Sequence, residues 1–287
     1  MIDPFHIEGP AILSISGGRT SGYMLHRILG AHGGTLPEDV RPFFANTGKE
    51  MPETLDFVEE ISQRWSVPIT WVEYRGRATD GKKQHAIVDY KTASRNGEPF
   101  ADLIADRKYL PNPVARFCTA ELKIRIMHRV VREFGWEEWI SCVGIRADEP
   151  RRIAKLAARA RSDIKNELAI APLASAGVSV AEVGAFWAAQ PFDLRLPNMN
   201  GKTMHGNCDL CFLKGSKQVL ALIREQPKRA IWWMEQEANG AKSSAQASGA
   251  RFRSDRPSYA AMYKMAKDHG ELFKFDDEPL QDCMCVD

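Results

Sequence analysis

Ala11-Ile12-Leu13-Ser14-Ile15-Ser16-Gly17-Gly18-Arg19-Thr20-Ser21 is the stretch from which the fold of this chain can be read. Ala11–Ile15 is an apolar, β-prone run. Two glycines and hydroxyl residues follow, and Tyr23-Met24-Leu25-His26-Arg27-Ile28-Leu29 then reads as a helix. Strand, loop and helix in that order suit an anion. Glycine lets the backbone turn sharply and approach a phosphate with no Cβ in the way. The free N–H groups and the positive end of the helix dipole then face that anion. The loop has neither the Gly-Lys-Ser/Thr of ATPases nor the dinucleotide Gly-x-Gly-x-x-Gly. Taken alone, it is equally a plain strand-to-helix turn.

Outward from this loop, β-like runs alternate with helical ones. Strands are expected at Ala11–Ser16, Pro42–Asn46, Ile69–Tyr74, Trp139–Gly144 and Leu168–Ala171. Helices are expected at Pro52–Trp65, Ala120–Phe134 and Val180–Ala189, with Pro52 suited to a first turn and Leu55, Phe57, Val58 and Ile61 forming an apolar face. This alternation predicts an α/β fold, a doubly wound, mostly parallel sheet with ligands at the carboxyl ends of its strands. Arg75–Arg116 is rich in Gly, Pro and charge, and is expected to hold a short helix and loops rather than a core strand.

After Pro191 the character changes. A cysteine-containing loop, Asn198–Lys217, leads into helical runs at Gln218–Glu225, Lys228–Ala238 and Ser258–His269. Asn239–Ala250 is small and polar, and reads as a flexible linker. The expected division is a nucleotide-binding α/β domain, 1–190, and a helical, cysteine-bearing C-terminal region, 191–287, packed on it.

The 287 residues carry 39 Lys and Arg against 37 Asp and Glu, a net charge of +2 that is too small by itself to argue for a nucleic-acid partner. No apolar stretch approaches membrane-spanning length, and the first residues lack a basic-then-apolar export signal, so a cytoplasmic location is expected. In that reducing setting, cysteines are more readily metal ligands or redox groups than disulfides. Cys142, inside the apolar run Trp139–Val143, reads instead as a buried strand residue.

Several constellations carry chemistry. Asn46-Thr47-Gly48-Lys49-Glu50-Met51-Pro52-Glu53-Thr54 follows the second strand, where Asn46 and Thr47 are placed to hydrogen-bond ribose or phosphate. Gly144-Ile145-Arg146-Ala147-Asp148-Glu149-Pro150-Arg151-Arg152 follows an apolar strand, and Arg146, Arg151 and Arg152 suit a polyphosphate or sulfated ligand. Cys118 lies beside Arg116 at a helix start, as either a thiol of lowered pKa or a metal ligand. The two-residue gap of Cys208-Asp209-Leu210-Cys211 lets both thiolates reach one metal. Cys283-Met284-Cys285 offers a mobile nucleophile or further ligands. The seven histidines show no metal-spaced pairing, although His205 lies near Cys208.

In this order, Ser16–Ser21, Asn46–Thr54, Arg116–Lys123, Gly144–Arg152, Ala171–Leu173 and Cys208–Cys211 resemble the phosphoadenosine phosphosulfate reductase family of the adenine nucleotide α-hydrolase superfamily. The look is most similar to phage- and prophage-borne members, which share a Cys-x-x-Cys-Phe-Leu-Lys segment and a Cys-x-Cys tail. The resemblance implies a Rossmann-like fold with an adenine nucleotide (ATP, APS or PAPS) whose phosphates sit on Ser16, Gly17, Gly18, Arg19, Thr20 and Ser21. It also implies a thiol reductant as partner and, for a phage protein, the host cytoplasm as location.

Three departures bear on the reaction. Relatives that cleave ATP between its α and β phosphates usually carry Asp where this chain has Thr20. Assimilatory reductases end in a Glu-Cys-Gly-like tail, whereas this one reads Asp282-Cys283-Met284-Cys285. Iron–sulfur members show adjacent cysteines where Cys118 is followed by Thr119. A [4Fe–4S] cluster is therefore expected on Cys118, Cys208, Cys211 and one of Cys283 and Cys285, with structural zinc or a metal-free redox pair as alternatives. The leading function is sulfonucleotide reduction, with Cys283 or Cys285 as the attacking thiolate. The alternatives are an ATP-dependent sulfur transferase acting on a nucleic acid or small molecule, and a nucleotide sensor. In that last reading Arg251, Arg253, Arg256, Trp232 and Trp233 form a contact surface, although at least one tryptophan is expected in the core.

Overall fold

The computed structural model of the protein describes residues 3–160, 166–199, 202–243 and 250–268. Six strands form one sheet: β1 (Ala11–Ile15), β2 (Val40–Ala45), β3 (Thr70–Arg77), β4 (Lys83–Val88), β5 (Trp139–Cys142) and β6 (Glu167–Ile170). Their spatial order is β4-β3-β2-β1-β5-β6. β1 pairs in parallel with β2 and β5, β2 with β3, and β5 with β6, while β3 and β4 are antiparallel. The chain winds outward from β1 to β3, then crosses back to place β5 on the other side of β1. Loops leaving β1 and β5 therefore diverge, and open sheets bind ligands in the crevice that results.

Side chains alternate between the two faces of a strand. Ala11, Leu13, Ile15, Phe44 and Trp71 join one core with α1 (Arg19–Ala31), α2 (Pro52–Arg64) and the helix Val180–Ala188. Ile12, Phe43, Val72 and Tyr74 join the other, beneath α3 (Glu98–Arg107), a helical segment over 117–133 and residues of the C-terminal region such as Phe212, Trp233 and Tyr259. With both faces covered, the doubly wound, mostly parallel α/β fold expected from the alternation is the fold observed. In α2, Pro52 occupies the first turn after an extended Met51, and Leu55, Phe57, Val58 and Ile61 are buried as their spacing predicts.

Two expectations are corrected. Arg75–Arg116 does contain a short helix, α3, but β3 runs on to Arg77 and returns as β4 through a tight turn in which Ala78 N–H donates to the Lys82 carbonyl at 2.8 Å. Lys83-Gln84-His85 has no apolar alternation to announce a strand; pairing with the backbone of β3 creates it. Its charged residues suit an edge that must not pair further. The second correction concerns Asn239–Ala250: the helix Arg229–Ser243 continues through Asn239 and Gly240, and 244–249 lie outside the described residues. A Cβ on Gly240 would fall 2.4 Å from that of Ala250, so this glycine serves close packing and does not break the helix.

The helix expected from Ala120 begins earlier, at Phe117, and passes through a π-helical turn, Ala120–Ile124, before Arg125–Glu133. Cys118 thus sits in its first turn.

Candidate functional site at the carboxyl edge of the sheet

The turn after β1 is held open by its own hydroxyls. Ser16 N–H donates to Ser21 Oγ at 3.1 Å, Ser21 Oγ donates to the Gly18 carbonyl at 3.0 Å, and Gly18 N–H donates to Ser16 Oγ at 3.3 Å. Gly17 has φ +79°, and a Cβ there would stand 2.3 Å from Thr54 Cγ2 on α2. Only glycine allows that backbone conformation and that approach. Gly18 caps α1 with extended backbone; among the described residues no side chain caps this end and its first turn holds no acid. The positive end of the helix dipole therefore faces the crevice.

Arg19 points elsewhere. Its Nε and Nη2 each donate to the Asp193 carboxylate at 2.7 Å, and Nη2 also reaches the Leu194 carbonyl. Its guanidinium anchors the segment after the helix Val180–Ala188, away from the group of phosphate ligands in which the sequence reading placed it. Trp187 Nε1–H donates to the Arg19 carbonyl at 2.8 Å and fixes the same turn from below.

Across the switch point, the loop after β5 reaches back. Arg146 Nη1 donates to Thr20 Oγ1 at 2.9 Å, and Arg146 Nε to Asp148 at 2.9 Å. Glu149 accepts from Arg146 N–H at 2.9 Å and from Arg152 Nη1 at 2.7 Å. Arg146 is thereby joined to the Ser16–Ser21 turn, and buried Arg152 is linked to Arg146 through Glu149; Arg151 is exposed.

The loop after β2 is a brace. Asn46 is fully buried: its Nδ2 donates to Glu73 at 2.5 Å and to the Ser94 carbonyl at 2.8 Å, and its Oδ1 accepts from Gly48 N–H at 3.1 Å. Thr47 Oγ1 and N–H and Lys49 N–H all donate to Glu50. Asn46 and Thr47 are buried and shape the loop from inside. Gly97 packs on this loop so closely that a Cβ would lie 2.7 Å from Lys49 Cδ.

The same loop holds the Cys-x-x-Cys segment. Glu50 and Cys208 form an antiparallel bridge, Asp209 N–H donates to the Lys49 carbonyl at 2.7 Å, and Thr47 Oγ1 lies 3.4 Å from Cys208 Sγ. Lys49 Nζ sits 3.1 Å from the Asp209 carboxylate, itself 1% exposed. Arg229 at 3.3 Å and Trp233 Nε1 at 2.8 Å complete a buried network around Asp209. Cys211 N–H donates to the Cys208 carbonyl at 3.2 Å, closing a turn between the two cysteines.

Cys208 and Cys211 are buried in the core that Cys118 borders. Among the described residues, no three His, Cys, Asp or Glu side chains converge closely enough to hold a metal ion. Cys283 and Cys285 lie outside the described residues. Cys142 is the buried strand residue expected, its thiol pushed up to about 12 by burial. His205 is buried against Glu225 at 3.2 Å, and burial lowers its pKa. Trp233 is core. Arg253 and Arg256 are buried too, Arg256 donating to the Lys214 carbonyl at 2.8 Å, so neither is an exposed basic patch.

Glu50, Glu73, Glu149, Lys49 and Asp209 are the site residues that sequence reasoning missed. Glu73 lies in β3 and the others are loop charges, with nothing in their spacing to distinguish them from solvated residues. The one available signal was position, since all but Glu73 stand inside segments already singled out.

Fold and site together define a parallel α/β protein that presents an anion-ready helix terminus at its switch point and thiols on the neighbouring loop. The chain belongs to the phosphoadenosine phosphosulfate reductase domain family, whose family model matches residues 10–179. It is 31% identical over 215 residues to the uncharacterized nin region protein ORF290 of Escherichia phage lambda, covering 72% of this chain and 67% of that protein. Among solved structures, similarity extends to the phosphoadenylyl-sulfate (PAPS) reductase of Candida auris in its phosphate complex, at 17% identity and TM-score 0.40 over 63% of this chain and 72% of that one. It extends also to the U34-tRNA thiolase NcsA of Methanococcus maripaludis with its [4Fe–4S] cluster, at 14% identity and TM-score 0.43 over 97% and 80%. No helix among the described residues is long and apolar enough to cross a membrane.

Proposed function

We propose that this chain is a sulfonucleotide reductase-like enzyme. The adenine nucleotide lies with its phosphates on the Ser16–Ser21 turn, and Arg146 and Arg152 balance their charge. One observation carries this reading: the Cys208–Asp209 turn is latched onto the Thr47–Glu50 loop, with Sγ 3.4 Å from Thr47 Oγ1, so thiols adjoin the crevice where a nucleotide would sit. In this division residues 1–190 hold the nucleotide and residues 191–287 bring cysteines to it.

In the chemistry proposed, a thiolate of Cys283 or Cys285 attacks the sulfur of an adenylyl sulfate. The sulfur–oxygen bond breaks, the nucleoside phosphate leaves with the electron pair, and an S-sulfocysteine remains. A thiolate of the external dithiol reductant then attacks the cysteine sulfur, releasing sulfite and leaving a mixed disulfide that the reductant's second thiol resolves, which regenerates the cysteine thiolate. Members of the Cys118, Cys208 and Cys211 set are of the right donor type for a [4Fe–4S] cluster, with one tail cysteine as the fourth ligand. Such a cluster, when bound, would hold or polarise the sulfur chemistry beside the nucleotide phosphates; zinc at the same thiols is the alternative.

The test is to incubate the full-length, anaerobically purified protein with adenylyl sulfate or its 3′-phosphate and dithiothreitol, and to measure sulfite. Release that Cys283→Ser and Cys285→Ser each abolish supports the reading. Pyrophosphate release from ATP without sulfite replaces it with the sulfur transferase, and nucleotide binding with neither product replaces it with a sensor. A brown protein with broad visible absorbance supports the cluster, and a colourless one with stoichiometric zinc overturns it.

A further inference from the structure

On the face beneath α3, a buried carboxylate is ringed by more cations than it can neutralise. Glu121 lies in the π-helical turn Ala120–Ile124. Lys83 of β4 at 2.5 Å, Arg107 of α3 at 2.5 Å and Arg125 at 2.7 Å all crowd onto its Oε1. Arg129 reaches Oε2 only at 3.9 Å, and both terminal nitrogens of its guanidinium are buried with no hydrogen-bond partner. Burial lowers the Arg129 pKa, as it does for a cation short of counter-charge. Arg77, at the end of β3, is held by Asp106, which also accepts from the Tyr74 hydroxyl. Two carboxylates thus serve five cations. Glu133, the exposed acid of the same helical segment, faces His85 at 3.2 Å. None of these residues belongs to the Ser16–Ser21 turn, the loop after β5 or the cysteine segments.

The excess charge reaches solvent. Arg125 is 61% exposed, and Lys108, next after Arg107, is exposed with no ion pair among the described residues. Beside them stands Tyr109, 45% exposed. Its ring packs edge-on against Phe117 at 4.8 Å between centroids, and the Arg107 guanidinium lies over the same Phe117 ring at 5.5 Å. Phe117 therefore fixes an outward-facing aromatic ring and a guanidinium side by side. Like charges gathered in one place repel, so the fold gains nothing from the surplus. Guanidinium forks suit phosphate oxygens, and an exposed aromatic ring offers an unpaired base a stacking surface. An acidic protein would use the cations but not the ring. We infer that Arg107, Lys108, Tyr109 and Arg125 form a docking face for single-stranded nucleic acid, its phosphates on the cations and a base on Tyr109. This inference goes beyond the proposed reaction and does not depend on it.

The test is fluorescence anisotropy of the full-length protein with fluorescein-labelled oligodeoxythymidine of about 15 nucleotides, within the span of single-strand sites. Affinity should fall with salt at a log–log slope of about −2, from about three phosphate contacts at about 0.7 each. Lys108→Gln should flatten that slope by about 0.7. Tyr109→Leu should weaken binding about tenfold while Tyr109→Phe keeps it, because the ring and not the hydroxyl is used. An abasic strand of equal length should bind the native protein about as weakly as the normal strand binds Tyr109→Leu, and should lose nothing further in that variant. Saturating ATP should leave the strand bound. The inference is overturned by binding without salt dependence, by unchanged affinity in Tyr109→Leu, or by displacement with ATP, which would move the strand to the phosphate turn. Poly-L-glutamate that competes equally and ignores Tyr109→Leu overturns it in favour of an acidic protein partner. Oligonucleotide binding of the expected pattern in a protein that releases no sulfite supports the docking face while overturning the proposed function.

Discussion

Asp209→Asn is the most searching perturbation of the site. The carboxylate is 1% exposed and faces Lys49 Nζ at 3.1 Å, Arg229 at 3.3 Å and the indole N–H of Trp233 at 2.8 Å. Lys49 itself is 6% exposed, so water cannot replace the lost partner. An isosteric amide keeps an acceptor for Trp233 but leaves two cations facing a neutral group. Removing one member of a buried pair costs about 3–5 kcal/mol, most of it the uncompensated charge. For a chain of this size that corresponds to a fall in Tm of about 10 °C. Urea denaturation should show a lower midpoint at unchanged m-value. The cycle Lys49→Met, Asp209→Asn and the double variant should give a coupling above about 1.5 kcal/mol, because residues in one network are not additive. Since the Asp209 carboxylate holds Lys49, next to the Glu50 to which Cys208 is bridged, alkylation of Cys208 by iodoacetamide in the native protein should accelerate. A loss below 1 kcal/mol with no coupling would falsify the claim that this network holds the thiols in place.

Other substitutions separate binding from folding. Gly17→Ala forces a side chain to φ +79° and onto Thr54, costing about 1–3 kcal/mol in strain, and should abolish the thermal shift given by adenine nucleotides. Arg146→Ala removes one charge-assisted contact near the turn and should weaken nucleotide about tenfold by calorimetry, while Tm moves by only a few degrees. Glu121 governs acid stability. Burial, the largest influence, pushes its carboxyl up, but Lys83, Arg125 and Arg107 together outweigh it and hold it below the ordinary 4.5. Its contribution is therefore full above that value and is lost as pH falls through the lowered one. Glu121→Gln should cost about 2 kcal/mol at pH 7, discounted for the exposed cations, and should flatten the acid limb of the Tm–pH curve. An unchanged acid limb would remove Glu121 from this role.

Much of the site was legible before any coordinates because the turn after β1 is written in adjacent residues. Ser16, Gly18 and Ser21 bond to one another across five positions, so local spacing carries the geometry. The helix Pro52–Arg64 is equally local, its apolar face repeating at helical intervals after a proline. Arg19 and Asn46 illustrate the opposite case. Each looks like a ligand contact from its place in a motif, yet Arg19 pairs with Asp193, 174 positions away, and Asn46 with Glu73, 27 positions away. β4 escaped notice for the same reason, since its pattern is polar and its partner is the backbone of β3.

By itself, then, the amino-acid sequence determined the alternation of strand and helix, the parallel sheet with both faces covered, the anion-ready turn and the cysteine spacing. These follow from periodicities and turn chemistry that act over a few residues. Tertiary structure alone decided that β5 lies beside β1, so that Arg146 meets Thr20, and that Asp209 locks the Cys208–Cys211 turn to Lys49. A charge in a loop acquires its meaning from burial and from its counterion, and both are set by which distant segments the core brings together.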